Sequence, residues 1–469
     1  MIRCLLISPR DPKVPKKENL KWLMGGENTY TQSLLDNPPK GVEYVHLDKA
    51  VESGEVKWGK WQRVLGWLMK LRVLPLSAGV VDIEIRGKFD VVHCYAYSLR
   101  IGGEHTPPFG YPSQEGNVPV VISDSSSNYL TLGEYFGWSE WRIKFGYMLR
   151  RGIHKLLNIY DGDLELGGYR KLLVWSNFAK DLHVKWGNNP ERIEVIYPGM
   201  AGPGKELGYP PSHKASNFAR ATMDKAEGHG RGEGVGEKKR KSEKAKKSEI
   251  TILFVGTWFK RKGGEVLVEA IVSLVNQKSK IKNQNDNSKL KKIRLVIVGQ
   301  VPEEVTGYWL LVTGKLLTIE QYDYVSRERL LAEFYPRADM LVLVPRVAEG
   351  YGMVVEEAMS FGVPCVVSRV GALPEILAIS KFKMQNSKLT PPNPPLVRGG
   401  GGGVEIAEAG LIVQPGSVES LRAALELLIT DKRLRERLGK QARKRFLREF
   451  EIKKFQRKMK RVYEEMASG

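Results

Sequence analysis

Two carboxylates, Glu349 and Glu357, lie on either side of Gly350 and Gly352 in the stretch AEGYGMVVEEAMSFG. The run DMLVLVP before it reads as a buried strand, and a helix is expected to begin near Met353. Glycines in the connecting loop let backbone approach a ligand closely. The unpaired first-turn amides of the helix and its positive dipole end then suit an anion such as a diphosphate. With a loop between them, one carboxylate can face a sugar and the other a ribose diol. The plain alternatives are a surface loop for Glu349 and a solvated helix face for Glu357. A second charged cluster, Lys260-Arg261-Lys262, falls between the strand LFVG, which ends at Gly256, and a pair of glycines. Its plain reading is a solvated turn. Asp161-Gly162-Asp163 has the form of a metal–diphosphate clamp, but such triplets are common in turns, and no metal is expected.

These residues need a scaffold that delivers loops to one edge of a sheet. Residues 1 to about 200 alternate short apolar runs with helical stretches: MIRCLLIS, FDVVHCY, VPVVIS, KLLVWSN and RIEVIYPG. A similar series follows from Glu249: EITILFVG, KIRLVIVG, DMLVLVP, VPCVVS and AGLIVQP. Short apolar strands separated by helices argue for doubly wound parallel sheets, which bind ligands beyond the carboxyl ends of their strands. Between the halves, residues 203–249 hold 12 Lys/Arg against 7 Asp/Glu and almost no large apolar residue, the composition of a solvated linker. Polar stretches near 276–289 and 384–403 read as flexible insertions. The five glycines at 399–403 follow a Pro-rich segment rather than a strand, so they are a linker and not a phosphate loop.

Composition bounds the remaining choices. The 469 residues predict two or three domains, and 42% hydrophobic content is enough for real cores. Three cysteines, Cys4, Cys94 and Cys365, exclude a disulfide scaffold and a zinc ribbon, and they fit a reducing compartment. The seven histidines are scattered, without metal-ligand spacing. No stretch reaches the ~20 apolar residues of a membrane span, and MIRCLLISPRDPK reads as a first strand rather than a leader. A net charge of +21 implies an anionic partner without choosing among nucleic acid, acidic lipid and phosphorylated ligands.

The spacing Glu349-x7-Glu357 within EGYGMVVEEAMSFGVPCVVS resembles the signature of the family 4 retaining glycosyltransferases, also described as glycosyl transferases group 1. GALPEIL, LFVGTWFKRKGG, GGENTYTQSLL and the closing stretch from AGLIVQPG to KQARKRF are similar to other family segments in the same order. The resemblance implies a GT-B fold: two doubly wound Rossmann-like α/β domains facing across a cleft. It implies that Glu349 contacts the donor sugar, that Glu357 binds the nucleotide ribose, and that the amides of Met353 and Val354 hold the diphosphate. Lys262 occupies the place of the lysine that neutralises the departing phosphate, with Arg261 beside it as a second charge. A fixed cation lowers the barrier to cleaving a sugar–phosphate bond. Gly256, Gly350 and Gly352 line the donor side, and Gly25 and Gly26 the acceptor loop. Two departures stand out: Thr257 follows Gly256 where many relatives have arginine, and Asp124 or Ser125 stands where many have histidine. His93 fits equally a packed strand-end histidine.

The resulting expectation is an N-terminal domain over 1–202, a linker over 203–249, a nucleotide-sugar-binding domain over 250–445 and a basic C-terminal helix over 446–469 that packs back on the N-terminal domain. The function expected is transfer of a sugar, with retention, from a nucleotide-diphosphate donor to an acceptor hydroxyl. No cofactor is needed beyond the nucleotide sugar. The acceptor is a glycan or a lipid-linked molecule, as in polysaccharide, lipopolysaccharide or glycolipid synthesis. The alternatives are a nucleotide-sugar epimerase of the same fold and a basic nucleic-acid-binding protein; no nucleic-acid module pattern is present, so no nucleic-acid partner is expected. Wound as a helix, residues 57–72 put Trp58, Trp61, Val64, Leu65, Leu68 and Met69 on one face, which suits either an anionic membrane surface or packing on the N-terminal sheet. The location is then cytoplasmic and, in the first case, peripheral on the inner face of the cell membrane.

Overall fold

The computed structural model describes residues 1–8, 26–63, 80–95, 98–102, 118–125, 133, 137–156, 159, 170–202, 249–257, 259–281, 292–305, 316–378 and 403–468. These divide into two compact units, Met1–Met200 with Phe450–Gly469, and Ala201–Glu449. The basic tract 203–248, the Asp161-Gly162-Asp163 triplet, Gly25 and most of 384–403 lie outside the described residues.

Unit 1 is built on a six-stranded parallel sheet. Its strands are β1 (Ile2–Ile7), β2 (Val42–His46), β5 (Val91–Tyr95), β7 (Val120–Asp124), β8 (Lys171–Val174) and β9 (Ile193–Val195), in the order β2-β1-β5-β7-β8-β9. Central strands such as β5 are buried throughout, so they read as unbroken apolar runs instead of alternating ones. A smaller sheet joins β3 (Val56–Trp58), β4 (Val80–Ile85) and β6 (Ser98–Gly102). Helices α1 (Gly26–Asp36), α2 (Leu47–Glu52), α3 (Glu140–Leu156) and α4 (Asn177–Lys185) complete the N-terminal part.

The helix expected over 57–72 is corrected at its start. Val56, Lys57 and Trp58 pair antiparallel with Ile85, Glu84 and Ile83, and Gly59 N–H donates to the Asp82 carbonyl at 2.9 Å. Strand pairing overrides the helical spacing there, because β-branched Val56 is buried in the small sheet. Residues 64–72 lie outside the described residues.

Unit 2 carries a seven-stranded sheet of β10 (Glu249–Val255), β11 (Lys292–Val298), β12 (Leu317–Tyr322), β13 (Met340–Leu343), β14 (Cys365–Ser368), β15 (Glu405–Ile406) and β16 (Gly410–Val413), in the order β12-β11-β10-β13-β14-β16-β15. All neighbours are parallel except β15 and β16. Helix α5 (Gly264–Ile281) runs through the start of the stretch expected to be a flexible insertion, so 276–281 are helical; 282–290 lie outside the described residues. Its apolar face carries Val268, Ile271, Val272 and Val275 into the core, and that packing extends the helix over polar residues. The unit is completed by α6 (Met353–Ser360), α7 (Leu373–Ile376), α8 (Val418–Thr430) and α9 (Lys432–Glu449).

The chain closes with α10 (Ile452–Ser468), which belongs to unit 1. Phe455, Met459, Val462, Tyr463 and Met466 are its buried residues, spaced along one helical face, while its basic side chains point elsewhere. The break between α9 and α10 is held by backbone bonds from Met200 N–H to the Phe450 carbonyl (3.0 Å) and from Ile452 N–H to the Met200 carbonyl (2.9 Å).

Candidate functional site

The carboxyl edge of the unit 2 sheet brings together the two charged clusters that sequence spacing singles out. Lys262 leaves the turn after β10, and Glu349 leaves the loop after β13, the adjacent strand. Lys262 Nζ donates to Glu349 Oε2 at 2.5 Å, and Arg261 Nη1 stands 3.6 Å from the same oxygen. The turn is fixed by Val344 N–H donating to the Lys262 carbonyl (3.2 Å), which ties the β10 loop to the end of β13. The Glu349 loop is clamped from the other side. Ala372 N–H donates to the Glu349 carbonyl at 3.0 Å, and Gly371 sits so close that a Cβ there would lie 2.1 Å from that carbonyl oxygen. Only glycine fits.

Electrostatics keep the Glu349 carboxylate charged. Burial alone would raise the Glu349 carboxyl, but the charges of Lys262 and Arg261 outweigh it and hold the group below the usual carboxylate range. Lys262 is lowered from the ordinary lysine value by burial and by Arg261, and Glu349 opposes that shift. Two cations against one carboxylate leave a local positive excess, suited to an incoming anion.

Beside the pair, Gly352 caps α6 in the left-handed region, at φ 99°, a conformation that glycine adopts without strain. Its position starts the helix at Met353, so the first-turn amides of Met353 and Val354 have no intrahelical acceptor. Gly350 lies buried in the same loop. Gly256 follows β10 with its α-carbon facing the Lys262 stem; a Cβ there would meet Lys262 Cγ at 3.2 Å. A concavity of about 770 Å³ opens at this edge, lined by Thr257, Arg261, Gln300, Glu303, Gln321 and Asp323 among others, from the loops after β10, β11 and β12.

Glu357 sits apart from the Lys262 trio, buried on α6. Tyr335 Oη donates to its Oε2 at 2.6 Å and Arg327 Nε to its Oε1 at 3.1 Å. Neither partner was singled out from sequence: each is distant along the chain, and both come from the irregular helical segment 327–337. Glu356 was missed too. Its side chain is fully buried, takes a hydrogen bond from the Tyr351 hydroxyl, and is pushed well above the ordinary carboxyl value, by burial first and by the Glu357 charge next.

In unit 1, Gly26 opens α1, and Gly25 lies outside the described residues. Asp124 ends β7 with its carboxylate 3.9 Å from His183 Nε2, and Ser125 follows it. His93 is fully buried: Nε2 lies 2.5 Å from Ser123 Oγ, and Nδ1 2.7 Å from the Tyr463 hydroxyl of α10. It is a packed histidine. Among the described residues no cluster of three or more His, Cys, Asp or Glu lies together, and no helix is long and apolar enough to cross a membrane.

Against solved structures, Anabaena HepE in complex with UDP aligns with TM-score 0.55 at 11% identity, covering 99% of this chain and 100% of that one. At that identity the likeness is one of fold, and the fold is that of the GT-B glycosyltransferases. Fold and family match together define a glycosyl-transferring enzyme class. Residues 235–385, which hold Lys262, Glu349 and Glu357, match the model of glycosyl transferases group 1, so the chain carries a domain of that family. Among curated relatives, the D-inositol 3-phosphate glycosyltransferase of Rhodococcus erythropolis is 25% identical over 436 residues, covering 87% of this chain and 79% of that protein. The enzyme of the same name from Segniliparus rotundus is 27% identical over 199 residues, and the match spans 40% of this chain and 34% of the relative.

Proposed function

We propose that the chain is a retaining glycosyltransferase that uses a nucleoside diphosphate sugar and an acceptor hydroxyl on a glycan or a lipid-linked molecule, at the inner face of the cell membrane. The observation that carries this reading is the buried Lys262–Glu349 pair, with Arg261 beside it, at the carboxyl edge where α6 begins. The diphosphate lies against the amides of Met353 and Val354, and the ribose meets Glu357. The acceptor oxygen attacks the anomeric carbon from the face the diphosphate leaves. The bond between the anomeric carbon and the diphosphate oxygen breaks, and the acceptor proton passes to that departing oxygen. Lys262 and Arg261 stabilise the charge that builds there, and Glu349 orients the sugar. HepE binds UDP, so uridine diphosphate sugars are the first donors to test.

The experiment is a screen of nucleotide sugars for diphosphate release, with the anomeric configuration of any product read by NMR. Release from one donor, with a retained product, supports the reading; no release from any nucleotide sugar sinks it. The two carboxylates separate within the same assay. Glu349→Gln should lower turnover by roughly a hundredfold and spare affinity for the bare diphosphate. Glu357→Gln should weaken nucleoside diphosphate binding by about tenfold, the scale of one or two hydrogen bonds. Identical profiles would mean the roles are misassigned.

A further inference from the structure

Helix α3 is inverted relative to an ordinary surface helix. Its inner face buries Ile143, Tyr147, Arg150 and His154, with Tyr147 packed on Trp186 at 5.5 Å between ring centroids. Its outer face carries Trp141, Phe145, Met148, Leu149 and Leu156, all between 48% and 71% exposed. At about 100° per residue these five fall within an arc of roughly 100°, centred opposite the buried face. Isolated exposed apolar side chains are ordinary, but a continuous stripe of five large ones signals a partner.

The flanks of the stripe identify that partner. Lys144, Arg151 and Lys155 line one margin and Arg142 the other, Arg142 lying over the Trp138 ring at 4.1 Å. Glu140 is the one acidic residue in the helix. Cations along both edges of a Trp/Phe/Met/Leu face match the boundary of an anionic bilayer, where the apolar side chains enter the acyl region and the long cationic stems reach the headgroups. A second copy of the chain would bring the same cations against each other, in a molecule already carrying +21.

We propose that α3 is a membrane-docking surface for acidic lipid, seated in-plane through Trp141, Phe145, Met148, Leu149 and Leu156. The proposal rests on the lipid-linked acceptor reading, and it places the docking site on α3 in preference to Trp58 and Trp61, which are exposed at and just after β3.

The test is flotation of the full chain with vesicles of phosphatidylcholine containing phosphatidylglycerol, against phosphatidylcholine alone, without nucleotide sugar. The native chain should float with the acidic vesicles at low salt and release at high salt. Trp141→Ser/Phe145→Ser should weaken that binding by roughly tenfold or more. Because both side chains are exposed, the melting curve should not move. Trp58→Ser/Trp61→Ser should bind like the native chain. Diphosphate release from a soluble donor should be equal in all three, so a failure of the docking idea is distinguishable from a failure of the transferase reading. No native binding to acidic vesicles, unchanged binding in the α3 variant, or loss only in the Trp58/Trp61 variant would overturn the proposal. So would a native dimer that the α3 substitutions dissociate.

Discussion

Each unit carries a polar cluster, in unit 2 at the carboxyl edge of the sheet and in unit 1 inside it, and the two differ in charge. In unit 2, buried Glu349 is held as a carboxylate by half-buried Lys262 and Arg261, which stand at hydrogen-bond or near-contact distance from it. In unit 1, His93, Ser123, Tyr463 and Tyr30 are buried beside half-buried Tyr44, and burial raises the tyrosines and lowers the His93 value to about 3. Tyr44 donates to the Tyr463 oxygen at 3.1 Å, and Tyr463 and Ser123 in turn bond the two ring nitrogens of His93. A neutral, closed chain of donors and acceptors holds structure. A charged cluster with an excess cation, beside a glycine-capped helix start, suits an anion.

The largest effect should come from removing the charged cluster's cation. Lys262→Ala should lower turnover by about two or more orders of magnitude, on the scale of losing one electrostatic stabiliser. Arg261 still faces Glu349, so cooperative unfolding should persist. Near-normal turnover in the folded variant would erase the contrast between the clusters.

The neutral cluster should answer in stability and not in catalysis. Tyr463→Phe removes the hydrogen-bond partner of His93 Nδ1 and the acceptor for Tyr44, which should cost about 1–3 kcal/mol in urea unfolding. Acid should act through the same histidine. Its value when folded, about 3, lies below the ordinary 6.5, so the unfolded chain takes the proton first. The contribution of His93 is therefore complete above pH 6.5 and is lost as pH falls from 6.5 toward 3. His93→Gln should flatten that part of the stability curve. Unchanged acid sensitivity would mean that His93 is already charged, and the neutral chain of bonds would be wrong.

Legibility from sequence follows the same division. Lys262, Glu349 and the start of α6 were legible because each stands beside a strand that is one uninterrupted apolar run, with glycines marking the turn. Glu357 was legible as a residue, but not its partners Arg327 and Tyr335, 30 and 22 residues away. The spacing carries no trace of tertiary pairs of that kind. Edge strand β12, LTIEQY, was missed because only Leu317 is buried and the rest alternates polar groups. Residues 57 and 58 have helical spacing but form a strand with Val56, because β4 supplies a pairing partner and a buried place for Val56. The stripe on α3 was equally readable, since its apolar residues recur at helical intervals, yet only the fold shows that this face points outward while Arg150 and His154 point in.

Glu356 tests the comparison most finely, because it is a neutral buried group inside the charged unit. Burial and the neighbouring Glu357 raise its value well above 4.5, and the Tyr351 hydroxyl opposes that only in part. The folded chain thus holds a proton that the unfolded chain has released. The stability this group supports is complete below pH 4.5 and declines as pH rises toward its folded value. Glutamine keeps the shape and an oxygen for the Tyr351 hydroxyl, and it needs no proton. Glu356→Gln should therefore melt like the native chain at acid pH. At pH 8 it should melt a few degrees higher, the shift that about 1 kcal/mol produces in a unit of this size. Equal melting at both pH values, or a lower melting temperature throughout, would mean that Glu356 is ionised in place, so that unit 2 tolerates buried charge well beyond the Lys262–Glu349 pair.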